Sequence, residues 1–550
     1  MITIVGEYPY YRARITDWVV DLARLHSEGI EAISFYIPWR LHERSSGDID
    51  FTGADVSNAN LDQFFDLLRN QGLKAVVKPG PFIHAEVRYG GLPDRIVHCS
   101  DSEKDYRFSS FGIGFGEDPP LSSVDSSFLT EAITWLEIVR DRLVVPNLDI
   151  VAAVQIGNEG VFSDAAKPTD HPRRSPVSGI DQVLSTFSNV FADVPVKRYI
   201  NLPLPDPSIA NHLAYDWWVT RVLPLTEVAG AKGYTAWAGP TSTSDEALAR
   251  TLMASPHFDM GCVEENWGHV WDGSHYRSAD VLLHHSVLSL ALGSSTLSIY
   301  TACTTNSMDS TLQPTTTDLL AEGMEPKAFT GVYCPAAPLA AGGKDGETLD
   351  GLRRLVALRD AINETGTRWS ICYDLDLIID PGAAFITWRV AGIVKDLLVR
   401  YGLHARTIFS SAAEVGSSRP AVRVQTAGDP WESDELRVTV RRGGRDVEWI
   451  PMDAMQLDAE SIWRILQLTP KLPSLDSNSS YRIRWVAGDD SDACLDFIFN
   501  RASEKVDVRY GIESSSGGVG GKSLFTLGPY GVLVLLSMDG VRWEEISDLR

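Results

Sequence analysis

The chain has 550 residues and a net charge of −24, from 49 Lys and Arg against 73 Asp and Glu. Nucleic acids and anionic membranes bind clustered Lys and Arg, so this balance argues against both as partners. No apolar run reaches the roughly 18 residues of a membrane span. The first residues lack the basic and apolar regions of a secretory signal, which predicts a cytoplasmic protein and leaves a mature secreted form open.

The six cysteines are scattered, with no CxxC pair and no histidine at metal-ligand spacing. This pattern supports neither a structural zinc site nor a disulfide framework, so we expect reduced thiols, no metal and no cofactor. The 15 tryptophans are more informative. Flat aromatic rings often stack on sugars, although core packing accounts for most of them.

The N-terminal part of the chain alternates short apolar runs with amphipathic segments. The predicted strands are Thr3–Val5, Ala32–Tyr36, Lys74–Lys78, Ile150–Gln155, Lys197–Ile200, Tyr234–Trp237, Phe258–Val263 and Leu297–Tyr300. Helical spacing of apolar residues marks the segments between them. Eight such units predict an α/β fold closed as a (β/α)8 TIM barrel. An open doubly wound sheet would favour a glycine-rich turn after the first strand, and VGEYPYYR has none.

After the predicted barrel, the sequence pattern changes from alternating strands and helices to mainly β-like segments. Segments such as AFITWRV, ELRVTVRR and YRIRWVAG are β-like and are separated by polar or Gly/Ser turns. They predict one or two antiparallel β-sandwich-type domains. We therefore divide the chain into a catalytic barrel (1–325), a connecting segment (326–375) and a β-rich accessory region (376–550).

Carboxylates stand at the ends of two predicted strands. In AVQIGNEG, Glu159 follows the fourth strand, and in FDMGCVEENWG, Glu264 and Glu265 end the seventh. Barrel enzymes work at the C-terminal ends of their strands, and these two strands lie across the mouth. Cleavage of a glycosidic bond needs two such carboxyls, one to protonate the leaving oxygen and one to attack or stabilise the anomeric carbon.

Several motifs carry a family resemblance. EAISFYIPWRLHE, PGPFIHAE, GGLP, VQIGNEG, EENWG, YTACTTNSMD and VYCPAAPLAAGG together resemble glycoside hydrolase family 35, the β-galactosidases, over about residues 5–345. The resemblance implies a retaining exo-β-glycosidase with Glu159 as acid/base and a carbohydrate as partner, and it leaves a homo-oligomer open. The candidate substrate-binding residues around the catalytic pair are Tyr36, His84, Ala85, Glu86, Asn158, Trp267, Trp271 and Tyr300.

The nucleophile is one of two neighbouring glutamates. Side chains of a strand alternate faces, so only one of the two points into the barrel. Aligning Trp267 with the family's aromatic residue selects Glu265, and aligning Gly268 with the family's glycine selects Glu264. We prefer Glu265 as the nucleophile and keep Glu264 as the alternative.

Departures from the family pattern concern the walls of the pocket. His84 stands where the family usually has Asn or Cys. The stretch Glu159-Gly160-Val161 stands where the family has Glu-Tyr-Gly. Galactose is therefore not the only candidate, and a β-glucoside, fucoside or arabinoside is the alternative. A non-catalytic carbohydrate-binding protein on a decayed barrel is a third hypothesis, against which the presence of both candidate glutamates counts.

Overall fold

A computed structural model of the chain describes most of its length. The residues outside the description are 45–46, 98–105, 109–112, 116–125, 160–179, 206–210, 228–229, 238, 270–272, 315, 317–331, 411–418, 427–434, 443–444, 454–455, 467–479, 489–492, 514–518, 538–543 and 548–550. Among the described residues, no helix combines the length and the apolar content that crossing a bilayer requires.

Eight parallel strands close into a barrel in the order in which they follow one another along the chain. They are β1 (Thr3–Glu7), β2 (Ala32–Tyr36), β3 (Lys74–Lys78), β4 (Val151–Gln155), β5 (Lys197–Pro203), β6 (Lys232–Ala236), β7 (Gly261–Asn266) and β8 (Thr296–Tyr300). The helices of this part are Ile15–Ser27, Trp39–His42, Leu61–Gln71, Asp94–Val97, Ser126–Val139, Ile180–Val190, Asn211–Trp217, Asp245–Ala254 and Ala279–Ala291. A hairpin of Tyr106–Phe108 and Ile113–Phe115 lies between two of them. Each predicted strand overlaps an observed one, and the predicted TIM barrel is confirmed.

Local sequence sets the ends of these elements, as the helix Leu61–Gln71 illustrates. The side chain of Asn60 accepts a hydrogen bond from the backbone N–H of Gln63 and so caps the first turn. Gly72 ends the helix at a φ of 73°, a left-handed conformation that glycine adopts without steric cost. The helix buries Phe64, Phe65 and Leu68 on one face.

The interior of the barrel has an apolar lower layer and a polar upper layer. The apolar cluster consists of Val5, Ala32, Val76, Ala153, Tyr199, Ala231, Met260 and Val263. Two residues further along five of the strands, buried polar side chains follow: Glu7, Ser34, Lys78, Gln155 and Asn201. Because strand side chains alternate, these residues share the inner face with the apolar layer below them. The C-terminal ends of the strands thus enclose a buried polar group.

The C-terminal part contains two larger sheets. The first joins Ala405–Phe409, Leu375–Ile379, Ala421–Thr426, Glu435–Arg442 and Arg445–Asp453 in this spatial order, and the second joins Trp369–Ile371, Ser480–Ala487, Cys494–Asn500, Val532–Ser537 and Glu544–Ser547. Smaller pairs are Leu339–Ala340 with Lys344–Asp345, and Val506–Glu513 with Val519–Leu527. The helices are Leu349–Glu364, Thr387–Tyr401 and Ala459–Leu466.

Antiparallel pairing after the barrel is confirmed, with one addition: the first sheet is mixed, because Leu375–Ile379 pairs in parallel with both of its neighbours. The AFITWRV segment does not form a strand but leads into the helix Thr387–Tyr401, which connects two parallel strands. Val390, Val394 and Leu397 are buried at helical spacing along it. A short segment with alternating polarity was therefore misleading, because the helical period only emerges over the following residues. The domain boundaries at 325 and 375 stay predictions.

The C-terminal part packs directly on the barrel. The indole N–H of Trp485 donates to the carbonyl of Ala291 at 2.7 Å. Lys395, on the helix Thr387–Tyr401, pairs with Asp245 at 2.7 Å. These contacts lie on the helix layer, so the mouth of the barrel is built by the strand ends and the loops that follow them.

Candidate active site

A bulge in β7 decides which of its two glutamates faces the mouth. The pairing of β6 with β7 skips Val263, so β7 carries one extra residue there. Val263 belongs to the apolar cluster inside the barrel, and Glu264 also points inward, to the hydroxyl of Tyr36. Glu265 points outward and accepts a hydrogen bond from Ser286 of the surrounding helix layer. Simple alternation along the strand is broken at this position.

Glu264 lies among polar side chains from three other strands. Its Oε2 accepts hydrogen bonds from the hydroxyl of Tyr36 at 2.9 Å and from Nδ2 of Asn201 at 3.3 Å. The pKa of this carboxyl is raised, mainly by burial and further by the negative charge of Glu7, while the positive charge of Lys78 opposes the rise. Glu264 is therefore a buried carboxylate with its own donors and a nearby cation.

Asn201 connects the ends of β4 and β7. Its Oδ1 accepts a hydrogen bond from the backbone N–H of Glu159 at 2.8 Å, and its Nδ2 donates to Glu264. The same Nδ2 lies 3.0 Å from Oδ1 of Asn158. Thr235 on β6 donates to Oε1 of Glu159 at 3.4 Å, and β6 pairs Thr235 with Glu264. Asn201 and Thr235 thus each neighbour both glutamates, which places Glu159 and Glu264 in the same polar group.

Tyr36 and Asn158 complete this inner group. The hydroxyl of Tyr36 lies 2.7 Å from Oδ1 of Asn158, and Nδ2 of Asn158 donates to the carbonyl of Ile83 at 2.8 Å. Burial and the charge of Glu264 raise the pKa of Tyr36 well above its ordinary value. Tyr36 is therefore a neutral phenol that donates its proton to a neighbouring oxygen.

Glu86 forms a second carboxylate at the mouth. Its Oε2 accepts hydrogen bonds from the hydroxyls of Tyr333 at 2.5 Å and Tyr300 at 3.5 Å, and its Oε1 lies 3.7 Å from Nε2 of His269. Burial would raise the pKa of Glu86, but His269, His84 and Tyr333 outweigh it and lower the pKa to about 2. Glu86 is thus a permanent anion among hydrogen-bond donors.

The backbone that presents Glu86 is unusual. His84, Ala85 and Glu86 have φ values of 55°, 50° and 47°, in the left-handed region that residues with a side chain seldom adopt. Arg12 holds this segment, because its Nη2 donates to the carbonyls of Ala85 at 2.9 Å and Glu86 at 2.8 Å. The same guanidinium lies 4.0 Å from the ring centre of Tyr333. Strain of this kind concentrates at functional sites.

The outward-facing side of β7 forms a separate buried layer with the helix Ala279–Ala291. Ser286 donates to Oε2 of Glu265 at 3.0 Å, and Oε1 lies 3.5 Å from Nε2 of His285. Burial raises the pKa of Glu265 to about 8. Trp267 is fully buried here and donates its indole N–H to Ser286 at 2.9 Å.

The structure brings most of the candidate residues together at the mouth: Tyr36, His84, Ala85, Glu86, Asn158, Glu159, Glu264 and Tyr300. Glu265 and Trp267 do not join them, because the bulge turns Glu265 towards the helices and Trp267 packs beside it. The geometry therefore favours Glu264, the alternative, over Glu265 as the carboxyl that faces the mouth, and it buries Trp267 in the outer layer. Trp271 lies outside the described residues.

Several residues of the site were missed in the sequence. Asn201 had a signal, since it directly follows the predicted fifth strand as Glu159 follows the fourth. Lys78 ends the third strand and was counted only as part of it. Arg12 had none, and the motif VYCPAAPLAAGG contains Tyr333 without indicating its role, because both residues act through contacts between distant segments: Tyr333 meets Tyr300 across 33 positions.

A polar cavity of about 300 Å³ opens beside Tyr333, and its lining residues are Arg12, Thr305, Asn306, Ser307, Met308, Gln313 and Tyr333. This volume is at the small end of the range for ligand pockets. Hydroxyl and amide groups in its wall suit a ligand rich in hydroxyls. Within the described ranges, no three His, Cys, Asp or Glu side chains gather as metal ligands do.

Comparisons with known proteins concern both sequence and fold. The family model described as glycosyl hydrolases family 35 matches residues 1–107. An exo-β-D-glucosaminidase of Pyrococcus horikoshii is 31% identical over 145 residues, 25% of this chain and 18% of that protein. A β-1,2-glucosyltransferase of Ignavibacterium album is 40% identical over 208 residues, 35% and 29%. A β-galactosidase of Mus musculus is 28% identical over 159 residues, 28% and 21%. The chain thus covers less than a third of each relative's length.

Solved structures share the whole fold at low sequence identity. A β-galactosidase of the Antarctic haloarchaeon Halorubrum lacusprofundi covers 98% of this chain and 99% of its own, with a TM-score of 0.63 and 10% identity. A cold-adapted β-galactosidase of a Rahnella species covers 98% of both chains, with a TM-score of 0.64 and 11% identity. The arrangement of barrel and C-terminal sheets is therefore one that known proteins also have.

Proposed function

From the match of residues 1–107 to the family model of glycosyl hydrolases family 35, we propose that the chain is a retaining exo-β-glycosidase of this family that removes a terminal β-linked sugar. The observation that carries the proposal is the bridge of Asn201 between Glu159 and Glu264. Asn201 thus holds the backbone of Glu159 beside the carboxyl of Glu264, and glycosidic cleavage requires two carboxyls at one site.

In this proposal Glu264 is the nucleophile and Glu159 the acid/base. Tyr36 and Asn201 support Glu264 in its role, because hydrogen bonds to an ionised carboxyl favour the charged form. Glu265 has different surroundings, since its side chain faces the helices and its Oε2 accepts a hydrogen bond from Ser286 there. We therefore assign the nucleophile to Glu264, the alternative of the sequence analysis, in place of Glu265.

The reaction then proceeds in two displacements. The carboxylate of Glu264 attacks the anomeric carbon while the carboxyl of Glu159 gives its proton to the departing glycosidic oxygen, which leaves a sugar ester on Glu264. Glu159, now a carboxylate, takes a proton from water as the water oxygen attacks the anomeric carbon and releases Glu264. Two inversions restore the β configuration.

The sugar would be held by the second carboxylate and the aromatic wall. Glu86 remains ionised and can accept hydrogen bonds from sugar hydroxyls, with the phenols of Tyr300 and Tyr333 beside it. Trp237, partly exposed, meets Tyr300 edge to face with ring centres 5.6 Å apart and offers an aromatic surface. The names of the three relatives share the β linkage and differ in the sugar, so we propose a β-hexoside, with a β-galactoside as the first candidate.

Glycosyl transfer is a second candidate function. It is favoured by the 40% identity with a protein named as a β-1,2-glucosyltransferase, the highest identity among the three relatives. The same two displacements would serve, with a hydroxyl of an acceptor sugar in place of water in the second step. Glu159 would then take the proton of that hydroxyl.

A panel of nitrophenyl β-glycosides tests these functions together. It includes the galactoside, glucoside, glucosaminide, fucoside and arabinoside, each with and without free acceptor sugars. Hydrolysis yields free sugar, and transfer yields a disaccharide whose amount rises with acceptor. Binding of sugars without turnover of any β-glycoside would overturn both enzyme functions and would indicate a non-catalytic carbohydrate-binding protein.

The acid/base role of Glu159 has its own test. Glu159→Ala should lower kcat/KM about 10²–10⁴-fold on substrates with poor leaving groups and much less on nitrophenyl glycosides, which need no proton. Added azide should restore turnover and give the β-glycosyl azide, identified by NMR. An α-glycosyl azide would instead identify Glu159 as the nucleophile.

A further inference from the structure

A buried ion pair lies against Tyr36 inside the barrel. Nζ of Lys78 is 2.8 Å from Oε2 of Glu7, and neither side chain has any exposed surface. Glu7 also accepts a hydrogen bond from Ser34 at 2.5 Å. Nζ of Lys78 lies 4.4 Å from the ring centre of Tyr36, whose hydroxyl donates to Glu264. The pair is thus one side chain away from the proposed nucleophile.

Stability gives a weak reason for such a pair. Two charges lose their hydration when they are buried, and apolar residues of similar size are often at least as stable in the same place. The apolar layer two positions earlier in the same strands, Val5 and Val76, shows that this interior accommodates such residues. The two charged residues instead lie in the polar upper layer of the barrel, next to the proposed catalytic residues.

The two charges act on Glu264 in opposite directions. Burial raises the pKa of Glu264, Lys78 lowers it and Glu7 raises it. The titratable and charged groups that interact with this carboxyl are Glu7, Tyr36, Lys78, Glu86, Tyr199 and Cys262. Glu159 interacts with Tyr36, which donates to the same carboxyl. Among these groups Lys78 carries the positive charge.

On the basis of the proposed function, we propose that Lys78 and Glu7 are a positioning pair that sets the charge of the nucleophile. Lys78 keeps Glu264 ionised in its buried place and fixes the ring of Tyr36, which donates to it. Glu7 partly offsets the cation, so that Glu264 retains the basicity that a nucleophile needs. Neither residue touches the sugar in this arrangement.

The test is the pH dependence of the glycosylation step. An activated 2-deoxy-2-fluoro β-glycoside, which traps the ester on the nucleophile, reports this step through its inactivation rate, and kcat/KM reports it in turnover. Glu7→Gln removes an anion and should move the acidic limb to lower pH. Lys78→Met removes the cation and should move it to higher pH, each by about one unit.

Two further variants keep the test decisive if Lys78→Met does not fold. Lys78→Arg retains the charge and should leave the acidic limb near its wild-type position. The double variant Lys78→Met/Glu7→Gln buries no net charge and should titrate between the two single variants. Glu265→Gln is the matched control, because it replaces an equally buried carboxyl of β7 on the other face and should leave the limb in place.

Opposite shifts of the two single variants are the signature of an electrostatic role. An unmoved limb in Glu7→Gln, or a shift of all folded variants in the same direction, would overturn the inference and leave a structural pair. Absence of turnover and of trapping in the wild-type enzyme would instead overturn the proposed function itself.

Discussion

Glu264 and Glu265 are neighbours in the chain and are both buried, yet they lie in two different regions of the barrel. The inner region surrounds Glu264 with donors, Tyr36 and Asn201, and with the cation of Lys78. The outer region offers Glu265 one serine hydroxyl and a histidine. Burial raises the pKa of both carboxyls, so the difference lies in what else the surroundings provide.

The outer region excludes charge, whereas the inner region retains it. Burial lowers the pKa of His285 to about 4 and raises that of Glu265 to about 8. Between these values both side chains are neutral, so their 3.5 Å contact is not an ion pair. In the inner region, Lys78 and Glu7 face each other as charges at 2.8 Å. A carboxylate can act as a nucleophile where neighbouring donors and cations stabilise its negative charge.

The largest expected effect separates the two glutamates. Glu264→Gly should lower kcat by several powers of ten, because no carboxylate remains to form the ester. Azide should restore turnover and give the α-glycosyl azide, the product of a single displacement. Glu265→Gln, the neutral isostere in the outer region, should keep kcat within about tenfold of the wild type. Inactivity of a folded Glu265→Gln variant with an active Glu264→Gly variant would reverse the assignment.

A smaller loss is expected when the inner region loses its bridge. Asn201→Ala removes a donor to Glu264 and an acceptor for the backbone N–H of Glu159. We expect kcat/KM on nitrophenyl glycosides to fall about 10²-fold, as for loss of one oriented donor. Asn500→Ala, a buried amide of a C-terminal sheet, is the control for general loosening. Equal losses in both variants would mean that Asn201 acts only through stability.

The last prediction concerns the stability of the outer region and not the rate of the reaction. Glu265 has a pKa of about 8 when folded and an ordinary value of 4.5, so the unfolded chain loses this proton first. Its contribution to stability is complete below pH 4.5 and is lost as the pH rises towards 8, by up to about 1.4 kcal/mol for each unit.

Glu265→Gln cannot lose a proton and should therefore gain Tm relative to the wild type as the pH rises through this window. Thermal unfolding at a series of pH values measures the difference. A difference that does not change with pH would mean that Glu265 is ionised in the fold.

The barrel was predictable because each of its strands is a local pattern. The bounds of Ala32–Tyr36 and Lys74–Lys78 follow from short apolar runs that end at turns, with no information from their neighbours. The strand-end rule then located Glu159, and the family resemblance added Tyr36 and Glu86. The choice at β7 was not predictable, because the bulge at Val263 depends on how β6 pairs with it. The contacts of Tyr333, which lies in the motif VYCPAAPLAAGG, were not predictable either, since its partners are distant in the chain.

Tyr333 also has a consequence for how this fold can change. It lies beyond the eighth strand, is held there by paired backbone hydrogen bonds with Thr305, and places its phenol on Glu86. A barrel cut after Tyr300 would keep both glutamates of the proposed mechanism but lose the contact of Tyr333 with Glu86. We therefore expect that exchanging the segment around Tyr333 between relatives alters the preferred sugar without altering the reaction.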